Sequence, residues 1–426
     1  LEEVKNNTLS TSNIYTQWQK MGKITRNGVY AILADAYLWR ASILGNESDY
    51  DKCIECCDYI RNQRSNATGG NSGFRPQATE DDGWNLNRAS SYYSVFNGKD
   101  DESLFELCYN DNTGLCNAYY KYKNSSSAQP YFYTTPAFGK ADKDQSSSVF
   151  CEDDAAYDVR GFESVYGFNE DNEEAIRVRK YVALNGLLGQ LKAEHTPQRD
   201  YTPYQNNWVV YRASDVMLMK AEAMTDAEYE KLASASTLSD SLAIAQNLEQ
   251  VNIKAASLTQ TACRQVQIVH TRALTDEKEC TVDSTAYSFT TIDQDDASAY
   301  VKRQVTGYNT LATNVTTLET LVLNERAREL CFEGKRWFDL LRYNYRHVEG
   351  VDYYRLLTDF GGKYVTNYSG FNTYIQRKNS GGSAIVSKMP SEPYLYMPII
   401  KSETDVNSLL KQNPVYSDNS TIDKNY

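Results

Sequence analysis

Apolar side chains recur every three or four residues in two neighbouring stretches near the start of the chain. In residues 27–44 they are Val29, Ile32, Leu33, Ala36 and Leu38. In residues 49–63 they are Tyr50, Cys53, Ile54, Cys57 and Ile60. This spacing places one apolar stripe along each of two helices. Because Gly45 separates the two stretches, the sequence predicts a helix hairpin.

The same spacing returns later in the chain. A second pair of helices is predicted over 211–225 and 238–256, and a long helix over 317–346 is expected to pack against another over 260–272. Stacked antiparallel pairs of this length form a right-handed superhelical scaffold of the tetratricopeptide type. The pattern therefore predicts a mostly α fold built from helix pairs.

The helix predicted over 317–346 carries many charges among its apolar positions. Its apolar face recurs at intervals of seven, seven and four residues, with Leu323, Leu330, Trp337 and Leu341. The remaining residues that define this segment are Glu325, Arg326, Glu329, Glu333, Gly334, Arg336 and Asp339. Arg326 lies one turn from Glu329, which favours local ion pairs. We interpret these charges as a structural network rather than a catalytic group, and Gly334 permits a break in the helix.

Two irregular stretches, 65–160 and 343–400, are long for connections within a compact domain, and loops of that size are usually functional. They are rich in aromatic residues, in a chain that contains 34 tyrosines. A flat aromatic ring beside polar side chains suits the apolar face and the hydroxyl rim of a sugar. The candidate ligand-binding residues are Trp84, Tyr92, Tyr93, Tyr119, Tyr120, Tyr122, Tyr131 and Tyr133. For any single tyrosine, packing of a loop onto the scaffold remains the alternative.

Among the candidates Trp84 is preferred, because a tryptophan in a polar, glycine-containing loop has little local reason to be buried. Trp39 and Trp337 lie on helical faces and are expected in the core, whereas Trp208 is compatible with either place.

Composition narrows the class of protein. With 426 residues and 41% hydrophobic residues the chain is long and apolar enough to fold around a large core. A net charge of −12 argues against nucleic acid and against polyanionic glycans as partners. No linker or charge block separates two halves, so we expect one body with loop insertions. There is no run of about 18 consecutive apolar residues, which a membrane-spanning helix would need.

Motifs for catalysis or metal binding are missing from the sequence. His195, His270 and His347 stand far apart, and neither a Gly-x-Ser-x-Gly elbow nor a phosphate-binding glycine loop is present. We therefore expect no catalytic residues, no bound metal and no cofactor. The acidic residues that could hold calcium lack EF-hand spacing and are interpreted as solvated charge; they are Glu152, Asp153, Asp154 and Asp158.

The 9 cysteines follow no zinc-binding spacing. Cys53 and Cys57 share a helix face and are expected to be small core residues. A disulfide between Cys108 and Cys116 is compatible with the turn-rich residues between them, and an exported protein would permit it.

The charged segment closely resembles the C-terminal signature of SusD-like (RagB/SusD) proteins, in which a Glu-Arg pair leads into Glu-Gly-x-Arg-aromatic-x-Asp-Leu. These are surface nutrient-binding lipoproteins of glycan-utilisation systems in Bacteroidetes. Other segments are similar to the family in order and spacing. They are 22–39, 210–223, 398–403 and 411–416. Val415 stands where the family has glycine before its last tyrosine.

The resemblance implies a SusD-like fold and a non-catalytic protein that binds oligosaccharide or polysaccharide. It implies that the protein caps a SusC-like TonB-dependent transporter in the outer membrane, attached at the cell surface by an N-terminal lipid anchor. The resemblance also implies that the anchor and several helices of the family fold lie upstream of residue 1. Alternatives are peptide binding, as in RagB-like members, and a helical-repeat scaffold that binds only proteins.

Under this interpretation the expected parts of the chain form one SusD-like body. Residues 1–64 contain the first helical repeat and 65–205 a loop-rich, ligand-facing insertion. Residues 206–346 contain further repeats with the signature helix, and 347–426 a loop-rich C-terminal part.

Overall fold

The structure is a computed structural model, and it describes a subset of the residues. These are 1–10, 22–44, 46–66, 84, 86, 92, 95–96, 100–109, 159–166, 177–178, 180–181, 207–236, 261–270, 272–273, 279–283, 288–292, 308–347, 397–407 and 409–412. The chain divides into two compact units, Leu1–Asp339 and Leu340–Tyr426. The expected single body and its internal boundaries stay a prediction.

The first unit begins with the expected hairpin. Helix α1 spans Arg26–Leu44 and helix α2 spans Glu47–Asn66, and the two pack against each other. The interface buries apolar side chains of both helices, and the rings of Tyr30 and Tyr59 stack across it with centroids 3.8 Å apart. Near the turn, Arg40 Nε donates to the buried carboxylate of Asp49 at 2.5 Å. The hairpin is confirmed.

The next helices complete a helical layer. Helix α3 is the short segment Val159–Ser164, α4 spans Ala213–Ser236, α5 covers 261–270 and α6 spans Tyr308–Glu329. Helix α4 packs on α2 on one side and on α6 on the other. The helix predicted over 238–256 lies outside the described residues. The helices α1, α2, α4, α5 and α6 share one contiguous apolar cluster, to which α4 contributes most of its first half.

Among the described residues the strands are short, and each forms a two-stranded antiparallel sheet with one partner. Strand β1, Ser103–Leu107, pairs with β4, Trp208–Arg212. Strand β2, Val165–Tyr166, pairs with β3, Arg177–Val178. The remaining pair is β5, Glu279–Asp283, with β6, Ser288–Ile292. Because β4 runs directly into α4, the β1–β4 pair fixes the position of the chain just before the central helix.

The long helix expected over 317–346 is in fact two helices. Helix α6 ends at Glu329, and α7 spans Arg336–His347. Between them the backbone takes positive φ angles at Phe332 (62°) and Gly334 (79°), which no continuous helix allows. The expectation of one continuous helix is therefore wrong, and Gly334 lies within the break.

The second unit is described only in part. Helix α8 spans Lys401–Val406 and buries no side chain. Gln412 exchanges two hydrogen bonds with the backbone of Ile399, accepting from its N–H at 2.9 Å and donating to its carbonyl at 2.6 Å. In either unit, none of the helices that the structure describes has the length and apolar character needed to cross a membrane.

Candidate functional site

Two of the proposed ligand-binding aromatics are buried. Trp84 is 1% exposed and belongs to the core cluster, and Tyr92 is 0% exposed. Arg64, near the end of α2, donates to the carbonyl oxygens of Trp84 (2.8 Å) and Asp101 (2.6 Å). These bonds hold the backbone of a polar loop against the hairpin. The expectation that Trp84 stands free of the core is wrong, because a tertiary contact overrides its polar surroundings in sequence.

Tyr92 lies deeper still, at the end of α6. Its hydroxyl donates to the carbonyl of Glu329 at 3.3 Å, and its ring lies 4.9 Å from the guanidinium carbon of Arg272. In this structure Tyr92 offers no surface to a ligand. The other candidates lie outside the described residues, and their role stays a prediction. They are Tyr93, Tyr119, Tyr120, Tyr122, Tyr131 and Tyr133.

A buried ion-pair network surrounds the C-terminal end of α6. The carboxylate of Glu329 lies 2.5 Å from Arg212 Nη1 and 3.2 Å from Arg160 Nη1, and it also pairs with Arg272 Nη2. Glu325, one turn earlier, lies 2.5 Å from Arg160 Nη1. All of these side chains are fully buried. The charges are therefore shielded from water and depend on one another.

The network continues on both sides of Glu329. Glu333 accepts from Arg212 Nη2 at 2.7 Å and from Lys180 Nζ at 2.6 Å. On the other side Arg272 Nη1 donates to Glu102, the residue before β1, at 2.9 Å. We call the connected set the Glu329 network. Its members are Glu102, Arg160, Lys180, Arg212, His270, Arg272, Glu325, Arg328, Glu329 and Glu333.

A histidine also belongs to the network. His270 Nδ1 lies 3.0 Å from Glu325 Oε2 and 3.1 Å from Arg160 Nη2. It is buried at the end of α5 and is part of this structural network rather than of a catalytic pair. His195 lies outside the described residues, and for His347 only the backbone is described.

The arginines control the ionisation of the glutamates. Burial alone would raise the pKa of Glu329, but the charges of Arg272, Arg212 and Arg160 hold that pKa far below its usual range. Burial alone would also raise the pKa of Glu325, but the charges of Arg160 and other cations outweigh that effect and hold its pKa well below the ordinary value. These carboxylates are therefore held as anions, which makes them unsuitable as general acids.

A second buried cluster surrounds Arg326. Its guanidinium lies 3.1 Å from Asp215, 2.8 Å from Asp339 and 3.6 Å from Glu222. Lys335 Nζ lies 3.0 Å from the other oxygen of Asp215. The cluster joins α4, α6 and the start of α7 within the first unit.

The signature residues therefore pair across the fold more than along the helix. Arg326 binds residues of α4 and α7, whereas a bond to Glu329 was expected. Glu325 does form a local pair, with Arg328 at 2.9 Å. Arg336 Nη1 donates to the carbonyl of Leu323 at 2.8 Å. Because α6 packs against other elements, a charged side chain on α6 can bind a buried partner on one of those elements. Such partners replace most of the expected partners one turn away on the same helix.

The sequence interpretation missed most partners in the Glu329 network. Arg212 lies in a segment that carries the family resemblance, but nothing in its neighbourhood indicates a buried role. Arg160, Lys180 and Arg272 lie far along the chain from Glu329, and no spacing rule connects them with it. Each of the three side chains is fully buried. Only the tertiary structure therefore shows that they belong to the network.

A row of aromatic rings connects the network with Trp208. Tyr181 stacks on Trp208 with centroids 5.0 Å apart, and Phe96 meets Tyr181 edge-on at 5.1 Å and Tyr92 at 5.4 Å. Trp208 is half-buried, as are Trp39 and Trp337, which were expected in the core. The ring of Trp39 meets that of Phe338, which is 48% exposed.

The described cysteines on α2 are core residues, as expected. Cys53, Cys56 and Cys57 are buried. Burial raises the pKa of Cys56 to about 12, and a hydrogen bond with Cys57 raises that of Cys53. These thiols are therefore poor nucleophiles. Cys116 lies outside the described residues, so its pairing with Cys108 stays a prediction.

Within the described ranges, no cluster of three or more His, Cys, Asp or Glu side chains is arranged to hold a metal ion. The acidic residues considered for calcium, Glu152, Asp153, Asp154 and Asp158, lie outside those ranges.

Solved structures that match this chain share little of its sequence. A SusD superfamily protein from Bacteroides thetaiotaomicron is 14% identical with a TM-score of 0.47, covering 97% of this chain and 65% of that one. A SusD homolog from the same organism is 15% identical with a TM-score of 0.49, covering 92% and 60%. Surface glycan-binding protein A from Bacteroides uniformis is 16% identical with a TM-score of 0.46, covering 97% and 66%. This chain thus spans less than two thirds of each of them.

No curated protein matches the chain. A sequence model of the SusD family, in contrast, matches residues 56–416, which is most of the chain and includes both the α4 segment and the Glu329 network. The structure agrees with that match in being mostly helical, with paired helices around one apolar core. The chain belongs to the SusD family.

Proposed function

We propose that this protein binds oligosaccharide or polysaccharide at the bacterial cell surface without catalysing a reaction, and passes it to a SusC-like TonB-dependent transporter of the outer membrane. The observation that carries the proposal is the match to the SusD family over residues 56–416. The net charge of −12 favours a neutral glycan over a polyanionic one as the ligand. Surface attachment through an N-terminal lipid anchor is part of the same proposal.

The site is proposed to include tyrosines of the insertion 65–205. Since Trp84 and Tyr92 are core residues, the candidates that remain are Tyr93, Tyr119, Tyr120, Tyr122, Tyr131 and Tyr133. Tyrosine suits this role because its ring packs on the apolar face of a sugar while its hydroxyl bonds to the rim. The phenol also has few rotatable bonds to immobilise.

A glycan array probed with the intact chain tests the proposal, followed by calorimetry on the glycan that binds best. Alanine variants of Tyr119, Tyr120, Tyr122, Tyr131 and Tyr133 are expected to weaken affinity by about tenfold for each ring that stacks on sugar. Phe338→Ala is the matched control, because it removes an exposed aromatic ring from the scaffold. Binding to a peptide library with no binding to any glycan would replace the proposal by peptide capture.

Absence of catalysis is tested on the same glycan. Prolonged incubation with the protein is expected to release no shorter products, as judged by chromatography. Products that increase with protein concentration, and that disappear when one Asp or Glu is changed to Ala, would contradict the proposal.

Delivery to a transporter is tested by co-expression. The chain is expected to co-purify with a SusC-like TonB-dependent transporter, in the presence and absence of glycan. A stable transporter preparation that never retains the chain would contradict this part of the proposal.

A further inference from the structure

The imidazole ring of His270 has two partners that compete for one nitrogen. Nδ1 lies 3.0 Å from Oε2 of Glu325 on α6 and 3.1 Å from Nη2 of Arg160 on α3. A ring nitrogen carries either a hydrogen or a lone pair. Nδ1 can therefore donate to the carboxylate of Glu325 or accept from the guanidinium of Arg160, but it cannot do both at once.

The ring is held in place between these partners. His270 is the last residue of α5 and is 7% exposed. Its carbonyl accepts a hydrogen bond from the N–H of Ala273 at 3.0 Å, and the N–H of Arg272 donates to the carbonyl of Ile268 at 3.2 Å. The backbone around the ring is thus closed into a turn. A change in the charge of the ring therefore acts on its two partners.

Charged groups approach the ring from two neighbouring helices. From α6 these are Glu325 and Arg328, whose Nε lies 2.9 Å from the same Oε2 of Glu325. From α3 the group is Arg160, whose Nη1 also binds Oε1 of Glu325 at 2.5 Å. Arg272, two residues after His270, pairs with other carboxylates of the Glu329 network.

A proton on the ring changes the balance between the two partners. Among the side-chain types of the network, imidazole is the one that ordinarily gains charge between about pH 8 and pH 5. Burial opposes it, but neighbouring cations hold the pKa of Glu325 well below its ordinary value, so this carboxylate stays an anion over that range. A protonated imidazole has a hydrogen on both nitrogens, so Nδ1 can no longer accept from Arg160. The added positive charge also repels the guanidinium.

The direction of the effect follows from where the two partners lie. While α3 is attached, the attraction of Glu325 and the repulsion of Arg160 act on the proton from nearly equal distances, so they oppose each other. When α3 detaches, Arg160 leaves with it, whereas Glu325 stays on α6. The detached form therefore binds the proton more tightly. A fall in pH favours the form that binds more protons, so acid favours detachment of α3.

We propose that His270 is a proton-sensitive latch on α3. The neutral ring accommodates Arg160, and the protonated ring binds Glu325 and weakens the hold of the Glu329 network on Val159–Ser164. The latch acts on a local attachment and leaves the helical core folded. Because the two charges oppose each other while α3 is attached, global unfolding responds little over the same pH range. The inference does not depend on the proposed function.

Hydrogen exchange followed by mass spectrometry tests the latch on the intact chain. Peptides that cover residues 159–166 are compared at about pH 7.5 and about pH 5.5, after correction for the pH dependence of chemical exchange. The opening of this segment is expected to increase about fivefold or more at the lower pH, while amides of α1 and α2 change by less than about twofold. No increase in 159–166, or an equal increase in α1 and α2, overturns the inference.

The variant His270→Gln removes the proton and keeps the hydrogen bonds. Its amide can donate to Glu325 through nitrogen and accept from Arg160 through oxygen, and it does not titrate. The increase in opening at the lower pH is expected to be lost in this variant. The same substitution at the other histidines, His195→Gln and His347→Gln, is the matched control and is expected to keep the increase. An increase that persists in His270→Gln overturns the inference.

Nitrogen-15 NMR of the imidazole rings gives a second readout on the unmodified chain, which decides the matter if His270→Gln does not fold. The chain has 3 histidines, so the signals of His195 and His347 are assigned by their own variants and the remaining signal is that of His270. This ring is expected to pass from neutral to charged over the pH range in which 159–166 loses protection. A His270 ring that keeps one charge state throughout that range overturns the inference.

Discussion

The carboxylate of Glu329 lies among the guanidinium groups of Arg160, Arg212 and Arg272, with no access to solvent. Removing such charges from water costs several kcal/mol per ion, and only their mutual attraction offsets that cost. A network of this kind therefore adds little net stability while it is complete. It becomes strongly destabilising when one member is removed, because the remaining charges stay buried.

The first prediction concerns Glu329→Gln. The change is expected to lower the free energy of unfolding by about 3–5 kcal/mol, since it leaves buried arginines without their shared anion. Urea denaturation followed by circular dichroism measures the effect. Glu55→Gln, at an exposed position of α2, is the control and is expected to change stability by less than about 0.5 kcal/mol. Equal losses in the two variants would contradict the structural role of the network.

The second prediction concerns Trp84. Trp84→Ala is expected to lower the free energy of unfolding by about 3–5 kcal/mol, because it leaves a cavity in the core cluster. Phe338→Ala, which truncates an aromatic ring that is half exposed, should cost less than about 1.5 kcal/mol. The same denaturation experiment compares them. A Trp84→Ala variant of unchanged stability would show that the indole is not a core residue.

At the scale of elements, the break between α6 and α7 gives the Glu329 network its shape. Ending α6 at Glu329 leaves the carbonyls of its last turn without helical partners, and Glu329 O then accepts from Lys180, Arg212 and Tyr92. The turn at Phe332 and Gly334 carries Glu333 back within reach of Arg212 and Lys180. A continuous helix would carry Glu333 onward along the axis and away from those donors.

The third prediction tests this break with two glycines. Gly334 has a φ of 79°, so Gly334→Ala is expected to destabilise the chain by about 1 kcal/mol or more through backbone strain. Gly28 lies in α1 with ordinary contacts of 3.7–3.9 Å to an added Cβ, so Gly28→Ala should be neutral or stabilise by up to about 1 kcal/mol. Thermal unfolding separates the two signs. A stabilising Gly334→Ala would mean that the helix continues through this position.

At the scale of the whole molecule, buried carboxylates with lowered pKa values couple the fold to pH. Cations hold the pKa of Glu102, Glu325, Glu329 and Asp215 below their usual values against the opposing effect of burial. In the unfolded chain these groups return to their ordinary pKa, which for Glu is 4.5. The unfolded state then binds more protons than the folded state in acid, so acid favours unfolding.

The fourth prediction follows from that sign. The stabilisation is complete above about pH 4.5 and is lost progressively as the pH falls through the lower folded-state values. The denaturant midpoint is expected to be constant from pH 7 to pH 5 and to fall steeply below about 4.5. In Glu329→Gln the fall should be shallower, because one linked carboxyl is missing. A midpoint independent of pH down to 3 would contradict the linkage.

Several features were decided by the sequence alone. The hairpin of α1 and α2 follows from apolar residues such as Leu33 and Cys57 at helical spacing, which is a local property of the chain. Family membership is equally local, because the signature around Glu325–Asp339 is a linear pattern that can be recognised without coordinates. The mostly helical class and the network character of the charged segment could therefore be predicted.

Only the tertiary structure decided which charges meet and which aromatics are buried. Arg160, Lys180 and Arg272 bind glutamates more than 50 residues away along the sequence, as the separations of 165, 153 and 57 show. Trp84 has polar neighbours in the sequence, yet its side chain packs in the core cluster, and Arg64 donates a hydrogen bond to its carbonyl oxygen. Local patterns specify helices because a helix is stabilised between residues three and four apart. Burial and ion pairing depend on elements that meet only once the chain has folded, so no spacing rule in the sequence encodes them.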